Sequence, residues 1–123
     1  MLPAAHRMRS AADFTDTTRR GAKASRGSVV VYALRVDSLS ETVPDPSASA
    51  DPARVGLIVA KSVGNSVVRH RASRRIRGAI AALLPSLPPG TRVVVRALPG
   101  ADTDPALDSA LATALTAAMD RAR

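Results

Sequence analysis

From residue 53 to residue 100 the chain carries nine basic residues and no acidic one. The same stretch holds two β-branched runs with a long amphipathic pattern between them, so this charge rides on a strand-helix-strand frame. The first run, over residues 54–60, contains Val55, Leu57, Ile58 and Val59. Gly64 and Asn65 break it, and the pattern then predicts a helix over residues 66–84, stopped by Pro85. At about 100° per residue, Val68, Ala72, Ile76, Ala79 and Leu83 share one face of that helix. His70, Arg71, Arg74 and Arg77 share the opposite face, with Arg69 and Arg75 flanking the seam. The second run, over residues 92–98, contains Val93, Val94 and Val95 and follows the turn residues Pro88, Pro89 and Gly90.

Around this frame the patterns are weaker. Residues 1–9 read as a loose basic arm. Ser10 and Asp13 fit a capping box for a helix over residues 11–20 that Gly21 ends, with a thin apolar face of Ala11, Phe14 and Thr methyls. Val29 to Leu34, with Val36, form a near-continuous apolar strand. Residues 37–52 hold four acids, Pro44, Pro46, Pro52 and several serines, and predict a flexible acidic loop between two strands. Asp104 as N-cap and Pro105 as first helical residue predict a last helix with an apolar stripe of Leu107, Leu111, Leu115 and Ala118. A single α+β domain over residues 1–123, an α/β sandwich around one sheet, accommodates these elements.

The composition narrows the function. A formal net charge of +8 and a pI near 11.5 favour a polyanionic partner, because Lys and Arg gain affinity by displacing counterions from phosphates. Zero cysteines exclude disulfides and thiolate metal sites. No apolar run is long enough to span a bilayer and the first residues lack a secretory core, so a cytoplasmic location without a membrane partner is expected. Phosphodiester hydrolysis by a protein needs carboxylates holding divalent metal or a histidine pair. The basic block has neither: His70 stands among arginines and His6 lies in the N-terminal arm.

Six basic groups from Lys61 to Arg77 with no interleaved acid repel one another, a cost that phosphates offset. Arginine throughout the helix suits bidentate phosphate recognition. Phe14 and Tyr32 are the only aromatics. Each is either core filler or a base-stacking platform, and the residues alone favour filler.

The strand over 54–60, then Lys61, Gly64, Asn65, Val68, Arg69, Arg71, Arg74, Arg75 and Arg77, closely resembles the signature of the bacterial ribonuclease P protein family. Phe14 in the first helix, Gly21 at its end, Tyr32 in the following strand and Arg96 after the last valine run fall in the same family order. The likeness covers roughly residues 7–100, with the last helix matching in type only. His70 stands where the family usually has Asn, and Thr18 and Val29 stand where it is often aromatic.

The resemblance implies a two-layer α/β sandwich of ribosomal-protein-like fold, with one mixed sheet of about four strands. It also implies a left-handed crossover around the central helix, where the general rule for parallel strands would make it right-handed. It implies an accessory subunit of a ribonucleoprotein endoribonuclease that removes the 5′ leader of precursor tRNA, with catalysis in the RNA subunit. Mg²⁺ would be held mainly by that RNA and the substrate, and any metal site on the protein is unknown. Lys61, Gly64, Asn65, Arg69, His70, Arg71, Arg74, Arg75 and Arg77 would bind the catalytic RNA. Phe14, Lys23, Arg26, Tyr32 and Arg35 would bind the leader.

Three other readings stand beside it. A structural RNA-binding protein of ribosomal or RNA-chaperone type shares the charge but not the Gly-Asn turn and arginine helix. A major-groove DNA binder would need Asn or Gln readers on the exposed helix face, which are lacking, so no DNA partner is expected. A metal-dependent nuclease acting alone lacks its carboxylates.

Overall fold

The β-branched runs pair into one sheet, because a strand apolar on both faces is stable only with neighbours on each edge and cover above and below. The computed structural model describes residues 8, 11–35, 53–88 and 90–122, with side chains from residue 14 onward in the first helix. The arm of residues 1–9 other than Met8, the Ser10 and Asp13 capping pair, and the loop of residues 37–52 lie outside the described residues. The elements are α1 (Ala11–Arg20), β1 (Ala22–Arg26), β2 (Val29–Arg35), β3 (Arg54–Ile58), α2 (Ser66–Leu83), β4 (Thr91–Ala97) and α3 (Leu107–Arg121). Short 3-10 turns at Lys61–Val63 and Leu84–Ser86 flank α2.

The sheet is mixed and four-stranded, in the order β1-β2-β4-β3. β1 and β4 run antiparallel to β2, and β3 runs parallel to β4 with α2 as the connection. The fold is α+β with three helices, as the sequence and the resemblance imply.

Strand alternation divides the sheet into two faces. Val29, Val31, Ala33, Val55, Val93 and Val95 point to one face and join Ala72, Ile76 and Ile80 of α2 and Leu107, Leu111, Ala114, Leu115 and Ala118 of α3 in the main core. Each of these large aliphatics contributes about 1.5 to 3 kcal/mol on full burial. Ile80 adds to the apolar stripe read from the sequence, and Val68, Ala79 and Leu83 are only half-buried. α1 lies across the opposite face, over β2 and β4, with Thr17 fully buried.

Two boundaries shift for physical reasons. β3 ends at Ile58, because Val59 and Ala60 lead into the 3-10 turn. α3 starts at Leu107 with Ala106 at its N-cap, not at Pro105 behind Asp104. The Asp104 carboxylate is used otherwise: Oδ1 accepts from the Ala106 N–H at 2.9 Å and Oδ2 from the Ser28 hydroxyl at 2.6 Å. β1 has no counterpart among the segments read from local pattern, since Ala24 is its single buried residue.

Candidate nucleic-acid interface

The arginine face is built by the start of α2. Lys61 is exposed in the 3-10 turn that precedes it. Gly64 has φ 151°, and a Cβ there would stand 2.8 Å from Cβ and Cγ1 of Val68, so the turn needs glycine on both counts. Asn65 caps the helix: its Oδ1 accepts from the Val68 N–H at 3.0 Å. That fixed start sets the rotation of every arginine after it.

His70, Arg71, Arg74 and Arg77 are exposed along the outer face of α2. Arg71 stands 3.5 Å from Asp102 with half its side chain in solvent, a weak pairing. Val67 lies among them, 63% exposed, and shares a shallow hollow with Ser66, His70, Arg71 and Arg74. Arg75 turns inward instead. Its guanidinium donates to the carbonyls of Ala101 at 3.1 Å and Asp104 at 2.6 Å, which ties α2 to the loop before α3. Arg69 is half-buried, with an enclosed Nε that meets no partner among the described residues.

A second surface lies on the other side of the sheet. Lys23, Tyr32, Val94 and Gly56 occupy one rung across all four strands and point to the α1 face. The Phe14 ring lies directly on Gly56, where a Cβ would collide with it, and the Met8 sulfur sits beside it. Lys23 Nζ stands 6.0 Å from the centre of the Tyr32 ring, at the outer limit of a cation-π contact. The rung one step along carries Ser25, Val30, Arg96 and Ile58 on the same face, with Ser25 and Arg96 exposed. Phe14, Tyr32 and Lys23 thus share the α1 face of the sheet, with Arg96 one rung along on the same face.

Arg26 and Arg35 do not join that face. Both have the strand phase of Val29, Val31 and Ala33 and so point to the α2-α3 side. Arg26 donates to the neighbouring Ser25 carbonyl. Arg35 lines a hollow with Leu83, Leu115 and Asp120. Arg96 was absent from the residues assigned to the leader, although its two-residue spacing from Val94 marks it as sharing that face. Among the described residues, no three His, Asp or Glu side chains cluster as ligands for a metal ion. No described helix is long and apolar enough to cross a membrane.

A mixed sheet with an arginine-faced helix on one side and two aromatics beside Lys23 and Arg96 on the other fits an RNA-binding protein of the α+β sandwich class. The family model described as Ribonuclease P matches residues 2–123. The chain belongs to the ribonuclease P protein family, whose role is the 5′ processing of tRNA. The ribonuclease P protein component of Mycolicibacterium vanbaalenii is 47% identical over 117 residues, covering 94% of this chain and 91% of that one. That of Mycobacteroides abscessus is 45% identical over 123 residues, covering 98% and 90%. The solved RNase P protein of Staphylococcus aureus superposes with a TM-score of 0.72 at 22% identity, covering 92% and 94% of the two chains, and shares the fold.

Proposed function

We propose that the protein bridges two RNAs across its sheet. The outer face of α2, with Lys61, Gly64, Asn65, Arg69, His70, Arg71, Arg74 and Arg77, docks on the catalytic ribonuclease P RNA. The sheet face with Phe14, Lys23, Tyr32 and Arg96 holds the single-stranded 5′ leader of precursor tRNA. The observation that carries this reading is the separation of the two surfaces by the sheet, one an arginine-rich helix face, the other a sheet face that carries Phe14, Tyr32 and Lys23. A helix face rich in arginine suits folded RNA, whereas a half-buried tyrosine beside a lysine suits an unpaired base.

In this reading the RNA subunit is the catalyst and the protein is its cytoplasmic accessory. Mg²⁺, in the same reading, meets mainly phosphate oxygens and water. The ion belongs to the RNA subunit and substrate. The protein's cations lower the repulsion between the two polyanions, a task otherwise left to Mg²⁺.

The test is reconstitution. The purified protein alone should leave precursor tRNA intact, and at low Mg²⁺ it should restore cleavage by its cognate RNA. Robust 5′ processing without RNA refutes the assignment of catalysis. Recovery of ribosomal RNA in place of one abundant RNA of ribonuclease P type, when the protein is isolated from cells, supports a structural ribosomal or RNA-chaperone role.

A further inference from the structure

We infer that the hollow beside Gly78 is a ribose-phosphate subsite for a strand of the catalytic RNA, with Arg74 on the phosphate and the Asp108 carboxylate accepting from the ribose 2′-hydroxyl. The inference rests on the proposed docking of α2 on that RNA and gives the surface its point of closest approach.

Gly78 lies in the interior of the 18-residue α2 and is exposed. A Cβ there would meet nothing within 4 Å, so packing within the chain does not require glycine. Glycine inside a helix nevertheless costs stability relative to alanine. That cost has a use where a partner's backbone must come close to the helix axis. Arg74, Gly78 and Ala82 follow one another at i, i+4 spacing, so the arginine stands at the head of a strip that carries only one methyl group.

The strip opens into a hollow of about 410 Å³ whose lining includes Arg74, Arg75, Gly78, Ala79 and Asp108. Two of these groups face each other in chemistry. Arg75 is committed to the carbonyls of Ala101 and Asp104, which leaves exposed Arg74 as the cation for a phosphate. Asp108, exposed in the first turn of α3, repels a phosphate and can only accept a hydrogen bond. Of the groups along an RNA strand's backbone, the 2′-hydroxyl is the donor that suits it, and DNA has none. The subsite therefore selects RNA over DNA at a point with no base contact.

The experiment measures affinity for the cognate ribonuclease P RNA at fixed salt, beside melting temperature, for Gly78→Ala, Gly78→Leu, Asp108→Ala and Asp108→Asn. The Gly78 variants should melt at or above the wild type, since both residues favour helix more than glycine does. Yet they should bind the catalytic RNA more weakly, Leu more than Ala. Asp108→Ala should weaken binding about fivefold, the size of one net hydrogen bond, although it removes a negative charge beside a polyanion. Asp108→Asn, which keeps an acceptor, should retain most of the affinity. Unchanged binding in both Gly78 variants overturns the inference, and so does tighter binding by Asp108→Ala. Loss of precursor tRNA discrimination with unaltered catalytic RNA affinity assigns the strand to the substrate and overturns it too. The triple change of Arg71, Arg74 and Arg77 to Ala is the control: if that protein still binds the RNA normally, the docking of α2 itself is refuted.

Discussion

Ser28 Oγ donates to Asp104 Oδ2 across 2.6 Å, joining the β1-β2 turn to the loop that leads into α3. The Ser28 hydroxyl first, then the Ala106 N–H, hold the Asp104 pKa below its ordinary value, and Arg75 adds a favourable charge. A depressed folded-state pKa gives stability that is complete above the unfolded-state pKa and is lost as pH falls through the folded-state value. Asp104→Asn should therefore melt below the wild type at neutral pH. The gap should begin to close as the pH drops below about 4, the ordinary carboxylate value, and close further as the native carboxylate gains its proton at a lower pH. Melting curves that stay equally far apart from neutral pH into strong acid would contradict this.

Arg75 and its exposed neighbours should part company under mutation. Arg75→Ala removes two charge-assisted hydrogen bonds to carbonyls and should cost roughly 1 to 3 kcal/mol of stability. Replacing Arg71, Arg74 and Arg77 together should leave the fold intact and weaken RNA binding by about 1 kcal/mol or more per lost contact. Binding by the triple variant should also depend less on salt, by about one counterion for each lost phosphate contact. Denaturant titration and binding at several salt concentrations check both, and a salt slope equal to that of the wild type would mean these arginines are merely solvated.

Gly56→Ala offers a way to disturb Phe14 without truncating it, because the new methyl group would push the ring off the sheet. Such overpacking typically costs about 1 to 3 kcal/mol. Beyond that loss, the variant should favour precursor over mature tRNA less strongly while keeping its affinity for the catalytic RNA. Tyr32→Ala should do the same, with a loss of about tenfold in precursor affinity from one stacked base. If either variant loses both affinities in proportion to its stability, its aromatic serves the core alone.

The cap of α2 is open to a graded test. Asn65→Ala should cost about 1 kcal/mol by releasing the Val68 N–H, with Asn65→Asp restoring most of it. Gly64→Ala should cost more, since it combines an unfavourable backbone angle with a 2.8 Å approach to Val68. Chemical denaturation of the three variants checks the order, and a harmless Gly64→Ala would show that the turn can relax.

β2, β3 and β4 were legible as near-continuous β-branched runs, and α2 because its buried Ala72, Ile76 and Ile80 recur at helical spacing. β1 was not, since a strand at the sheet edge with one buried residue leaves no alternation in Ala22–Arg26; its existence depends on pairing with β2. The exposed arginines of α2 followed from helical spacing, but Arg75 sits at the edge of the wheel, and only the carbonyls of a distant loop decide that it turns inward. The face of Arg35 was written in the sequence, for it lies three residues from Tyr32 on one strand and so on the opposite side. Arg26 needed the hairpin register, which no local pattern supplies.

The rung of Lys23, Tyr32, Val94 and Gly56 alternates along each strand with residues of the main core. A slip of one residue in β2 would carry Tyr32 into the main core and turn Val31 and Ala33 to the α1 face. The proposed leader surface and the hydrophobic core are thus two readings of the same strands in opposite phase. A misregistered protein cannot keep a sound interior behind a spoiled face. Folding therefore acts as the quality check on that face, and a chain that has folded stably already has its aromatic rung in place.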